Sequence, residues 1–152
     1  MPQDTPELIQ PIRHSLCECG ALRLTVRGDP VHVHACTCTR RQRASGSAMT
    51  TSAWLPETAV TIEGDYITWH CTETADPALM AGFCRTCGTG RFFRTAAYLP
   101  GTIGIATGNF PDPAVPAPAF PAPDHIHWWP DRPHWLGPPN GPPLTRKLTH
   151  DP

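Results

Sequence analysis

Two cysteine pairs constrain this chain more than anything else in it: Cys17-Glu18-Cys19-Gly20 and Cys84-Arg85-Thr86-Cys87-Gly88. A two-residue gap lets both sulfurs of a tight turn face one ion. A one-residue gap does the same at a strand end, where side chains i and i+2 share a face. Zinc prefers thiolate sulfur in a tetrahedral array, with all four positions closed in structural sites. The glycine after each pair allows the positive φ that a knuckle needs, and the N–H groups there can support the thiolates. Cys17, Cys19, Cys84 and Cys87 are therefore read as the ligands of one structural zinc ion. Bringing pairs so far apart to one point clips a long loop, so metal binding would contribute directly to folding.

The compartment bears on that reading. Met1 to Gln10 holds Asp4 and Glu7 and has no apolar stretch of a secretory signal. No run of about 18 apolar residues is present, so no spanning helix is expected. A cytoplasmic location is expected, and in a reducing compartment paired cysteines are metal ligands more often than disulfides. The total of seven cysteines also leaves one outside any closed disulfide set. A net charge of -1 supplies no field to gather nucleic acid or an anionic membrane. A length of 152 residues suits a single core.

Short alternating runs set the fold class. In Ala21 to Val26, Leu22, Leu24 and Val26 point one way and Arg23 and Thr25 the other. Gly28-Asp29-Pro30 reads as a turn and Val31 to Cys36 as a second strand, so the two are expected to form a hairpin. Thr39 to Ser47 is a basic loop or short helix. Met49 to Trp54, Val60 to Ile62, Tyr66 to Cys71, the run into Arg91-Phe92-Phe93, and Ile103 to Ala106 add strand candidates. Thr72 to Leu79 is a loop around Pro77. Of 20 prolines, thirteen fall between Pro111 and Pro152. They limit that tail to edges and loops, with His125 to Trp129 its one β-like island. The expected fold is mostly β, a compact folded-sheet or sandwich domain over residues 14–137 built around the structural zinc. Residues 1–13 and 138–152 are expected to be flexible ends and the C-terminal region a proline-rich tail.

A second cysteine cluster, Cys36-Thr37-Cys38, precedes Arg40, Arg41 and Arg43. Two cysteines make half a metal site, and a catalytic zinc takes three protein ligands. His34, on the same strand face, and Cys71 are both candidates for the third. The arginines suit a carboxylate-bearing substrate and would lower the pKa of a neighbouring thiol. The alternative is a solvated basic turn beside two plain thiols. His125 and His127 read as ordinary strand residues. Trp54, Trp69 and Trp135 line a pocket or simply pack. Ser45 and Ser47 have no visible base, which argues against a serine nucleophile.

The ordered set of Cys17-Glu18-Cys19-Gly20, Cys36-Thr37-Cys38, Arg43-Ala44-Ser45-Gly46-Ser47, Phe83-Cys84-Arg85-Thr86-Cys87-Gly88, Gly104 to Asp112, and His125-Ile126 ahead of Trp135-Leu136 resembles the glutathione-dependent formaldehyde-activating enzyme family, which includes centromere protein V. The resemblance implies β-sheets around zinc, held by Cys17, Cys19, Cys84 and Cys87. It also implies a second zinc on a Cys-x-Cys-x-x-Cys motif, of which Cys36 and Cys38 supply two positions. The third falls on Arg41, and arginine stays protonated and cannot ligate zinc. The activity implied is that of a carbon–sulfur lyase handling a thiol adduct such as S-hydroxymethylglutathione. Cys36 and Cys38 would stand at the site, and Arg41 or Arg43 would grip glutathione or another small acidic thiol. The rival expectation is a zinc-stabilised binding module that has lost the reactive metal.

Overall fold

The structure, a computed structural model, describes residues 10–72, 79–110 and 120–137. The loop around Pro77, most of the proline-rich tail and nearly all of the expected flexible ends lie outside these residues. Among the described residues, ten strands form two sheets. A three-stranded sheet has the order β1 (Ile12–Leu16), β2 (Arg23–Arg27), β5 (Val60–Glu63). A seven-stranded sheet runs β10 (His125–His127), β3 (His32–Cys36), β4 (Thr50–Pro56), β9 (Thr102–Ala106), β8 (Gly90–Arg94), β7 (Met80–Cys84), β6 (Tyr66–His70). All the strand pairs are antiparallel except β10 with β3. The mostly β expectation holds, and the strands divide between two sheets.

The core lies between the sheets. Leu22, Leu24 and Val26 are fully buried, as the alternation of that run requires, and they meet Val33, Ala53, Leu55, Phe92, Ile103 and Ile105 of the larger sheet. Each such aliphatic side chain contributes about 1.5–3 kcal/mol by leaving water.

The expected hairpin of β2 with β3 does not form. β2 pairs with β1 and β5, whereas β3 pairs with β4 and β10. Gly28-Asp29-Pro30 instead carries the chain from one sheet to the other. Arg13 fixes that crossing, donating to the Gly28 carbonyl at 2.8 Å and to Asp29 Oδ1 at 2.9 Å. Its guanidinium lies 4.6 Å from the Phe120 ring centre. Arg13 is itself buried in β1, so the first strand takes in Ile12 and Arg13 at the end of the presumed loose lead-in.

The sheet face away from this core carries His32, His34 and Cys36 of β3, with Trp54 and Ser52 opposite them on β4 and Phe93 further across the sheet. The basic segment resolves as α1 (Thr39–Ser45), with Cys38 as its N-cap and Gly46 closing it in the left-handed conformation. Gln42 of α1 donates to the carbonyls of Thr37 (2.7 Å) and Asp131 (2.9 Å), tying the helix to the chain after β10.

Candidate functional site

The two cysteine knuckles come from different sheets. Cys17 and Cys19 lie between β1 and β2, while Cys84 ends β7 and Cys87 lies between β7 and β8. Each knuckle is closed by its trailing glycine, across three residues in the first and four in the second. Gly20 N–H donates to the Cys17 carbonyl and Gly88 N–H to the Cys84 carbonyl, both at 2.9 Å, with both glycines at positive φ. Glu18 N–H donates to Thr89 Oγ1 at 3.3 Å and links one knuckle to the other.

All four sulfurs lie within 4.8 Å of one another. Cys17 Sγ is 3.5 Å from both Cys19 Sγ and Cys84 Sγ, and Cys19 Sγ is 3.8 Å from Cys84 Sγ. A disulfide would need about 2.05 Å. Sulfurs about 2.3 Å from a tetrahedral ion stand about 3.8 Å apart. The donor set therefore fits a zinc-class ion. Leu22 N–H donates to Cys17 Sγ at 3.2 Å, a contact that favours thiolate. Four thiols this close do not all ionise alone. Cys87 is pulled down to about 5, chiefly by Thr89. Cys19 is pushed up to about 12: the Ala21 backbone lowers it, but the Cys17, Cys87 and Cys84 thiols and burial win. A bound cation removes that conflict.

Cys36 and Cys38 stand together at the start of α1, and no third His, Cys, Asp or Glu among the described residues completes a convergent group with them. Position 41, where the resemblance places a third cysteine, is an arginine whose guanidinium lies 3.9 Å over the Phe93 ring. The residues present do not fit a three-thiolate ion. They make a thiol–thiolate pair instead. A hydrogen bond from Cys36 lowers Cys38 to about 6, and the backbone N–H and charge of Arg41 assist. Cys36 is correspondingly raised, by Cys38 and by burial. The other two candidate ligands point elsewhere. Cys71 is contacted by Arg40, and His34 accepts from Trp54 Nε1 at 3.2 Å.

Beneath α1 lies a cleft of about 620 Å³ lined by Arg41, Ser52, Trp69, Phe92, Phe93 and Asn109, among others. A second lobe of about 350 Å³ is lined by Arg40, Arg41 and Arg43 with Trp69, Leu79 and Ala81. Arg41 belongs to both lobes. Cys36 and Cys38 line neither, so the structure puts the predicted thiols behind the helix start and the arginines in front. Trp54 packs edge-on against Phe93 behind the cleft floor (4.9 Å, 88°). Trp135 is exposed and lines neither lobe. Sequence reasoning missed Phe93, whose signal was only a β-prone Phe-Phe pair. It also missed His32, which the His-x-His spacing of β3 carried.

Iodoacetamide should modify Cys38 with a half-maximal rate near pH 6, measured by peptide mapping. A midpoint near the ordinary thiol value of about 8.5 would dismiss the thiolate.

Two sheets joined by four thiols of metal-binding geometry, with a basic cleft on the outer face, define a small β domain of metal-binding type. The chain belongs to the glutathione-dependent formaldehyde-activating enzyme family, whose profile matches residues 12–129. A crystal structure described as a Rhodobacter sphaeroides protein, 16% identical, aligns over 87% of this chain and 99% of that one with a TM-score of 0.53. At that identity the likeness is one of fold. Among the described residues no helix is long and apolar enough to cross a membrane.

Proposed function

We propose that this chain binds a small acidic thiol of the glutathione class in the cleft beneath α1, and makes or breaks a carbon–sulfur bond between that thiol and formaldehyde. Cys17, Cys19, Cys84 and Cys87 would hold a zinc ion whose part is structural. The observation that carries the reading is Arg41. It lines both lobes of the cleft, has its guanidinium over the Phe93 ring, and donates its backbone N–H to Cys38 Sγ at 3.4 Å. Family membership supplies the substrate class.

The chemistry asks little of the protein. The thiolate sulfur attacks the carbonyl carbon, the C–S bond forms as the C=O π bond breaks, and the oxygen takes a proton to give the S-hydroxymethyl adduct. Cleavage is the reverse. Arg40, Arg41 and Arg43 match the carboxylates of an acidic thiol. The Arg41 charge also favours the thiolate form of a substrate held beside it. Cys38 lines neither lobe, so the proton passes to and from water in the cleft, and Cys38 acts only by accepting the Arg41 backbone N–H.

Exchange NMR on a glutathione–formaldehyde mixture tests this. The wild-type chain should accelerate exchange between free thiol and adduct. Arg41→Ala should weaken glutathione binding and slow the enzymatic part, whereas Cys38→Ser, off the cleft wall, should change it far less. Binding without acceleration would instead support the non-catalytic module, the reading favoured by Arg41 in the third-ligand position and by cysteines off the cleft wall.

A further inference from the structure

The seven-stranded sheet ends in a histidine cluster that the proposed chemistry does not use. His32 and His34 project from one face of β3. β10 runs parallel beside it, with His125 opposite His34 and His127 opposite Cys36, so its two histidines join the same face. Ring centres are 4.6 Å apart for His34 and His127, 5.3 Å for His32 and His34, and 6.2 Å for His32 and His127. One nitrogen from each of these three rings lies within 4.8 Å of the other two.

Such packing is unusual for bare imidazoles. His32 Nδ1 faces Asp124 Oδ2 at 3.5 Å, while its Nε2 is buried without a hydrogen-bond partner. A carboxylate on one nitrogen with the other left for an ion is the arrangement that orients metal-bound histidines. The cluster is also held rigidly. Buried Thr37 donates its N–H to the His127 carbonyl at 3.1 Å and its hydroxyl to the Trp128 carbonyl at 2.6 Å. Asp124 N–H donates to the Val33 carbonyl at 2.8 Å. The Tyr98 ring lies 6.1–6.5 Å from all three histidines.

We propose that His32, His34 and His127 form a second metal site, which takes a zinc-class divalent ion through three imidazole nitrogens and leaves the fourth position to water or a small anion. Three nitrogen ligands with one open position suit zinc, and imidazole also accepts cobalt. The site is independent of the four-thiol cluster and of the cleft chemistry. It also has a built-in reporter. Trp54 Nε1–H donates to His34 Nδ1. A neutral imidazole has one lone pair on nitrogen. An ion on Nδ1 displaces the indole, and an ion on Nε2 moves the ring proton to Nδ1 and sets two donors face to face. Loading therefore ends the Trp54 contact in either case.

The test uses untagged full-length protein equilibrated with zinc chloride, desalted and analysed for metal. Wild type should carry two zinc ions per chain. His32→Gln and His127→Gln should each carry one, with an unchanged circular dichroism spectrum and thus a retained four-thiol ion. Cys36→Ser should keep both, which separates this site from one at Cys36 and Cys38. Cobalt refilling of the second site should give ligand-field bands without the sulfur-to-cobalt charge-transfer bands of the thiol cluster. It should also change tryptophan emission in wild type but not in Trp54→Phe. One zinc ion in wild type, or two in both histidine variants, would overturn the proposal. Loss of the second ion in Cys36→Ser would move the site to the thiols and overturn it equally.

Discussion

Exhaustive chelation of the purified chain should unfold it, and Cys84→Ser alone should have the same effect. The reason is where the thiols sit. Each pair belongs to a different sheet, and Cys19 and Cys84 are 65 residues apart in the chain. A covalent cross-link closing a loop of that length would contribute about 4 kcal/mol through the unfolded state alone. Binding a structural zinc ion contributes about 10–16 kcal/mol in small zinc domains, against a total stability of about 5–15 kcal/mol for ordinary domains. Losing the ion therefore removes as much as the whole fold holds. Circular dichroism and tryptophan emission, followed during chelation and after zinc is restored, check this. Cys71→Ser is the control, since Cys71 is as well buried but belongs to a different cluster packed with Trp54 and Phe93. It should cost only about 1–3 kcal/mol. If Cys84→Ser is no worse than Cys71→Ser, or the chelated chain keeps its β signal, the two sheets are not fastened by an ion.

The cysteine pairs were legible because each pair is local and its glycine follows directly. Leu22, Leu24 and Val26 were legible because period-two alternation reports a buried face. Alternation does not report which strand lies alongside, so β2 and β3 looked like a hairpin although they belong to different sheets. The buried charge of Arg13 was illegible for the same reason: its partners Asp29 and Phe120 become neighbours only through the sheet crossing. The histidine cluster depends on β10 lying parallel to β3, a pairing that links Thr37 to His127 across 90 residues. Two His-x-His pairs read separately as plain strands. The basic segment Thr39 to Ser47 was ambiguous because its helix has no buried face, and amphipathic periodicity had nothing to show.

Gly104 leaves room for a ring of the cleft floor, and Gly104→Ala should destabilise the chain by about 1–3 kcal/mol. For a chain of this size that is a fall in Tm of about 2–12 °C. Gly104 sits directly opposite Phe93 across β8 and β9. A Cβ there would lie 2.4 Å from Cε2 and Cζ of the Phe93 ring, closer than any real contact, so the ring would have to move. It has little room to do so, because Trp54 stands edge-on at 4.9 Å and the Arg41 guanidinium covers it at 3.9 Å. Displacing Phe93 removes the platform that aims Arg41 into both lobes, so glutathione binding should weaken together with Tm. Gly108→Ala is the control: nothing lies within 4 Å of its added Cβ, and Tm should stay put. Phe93→Leu in the Gly104→Ala background should recover part of the lost stability, because the smaller side chain vacates the contested space. It should not recover ligand binding, because leucine offers Arg41 no ring face. Thermal denaturation of the four combinations yields the coupling energy. Strict additivity, or a Gly104→Ala protein with unchanged Tm, would mean that the close approach of Phe93 to β9 is not what shapes the site.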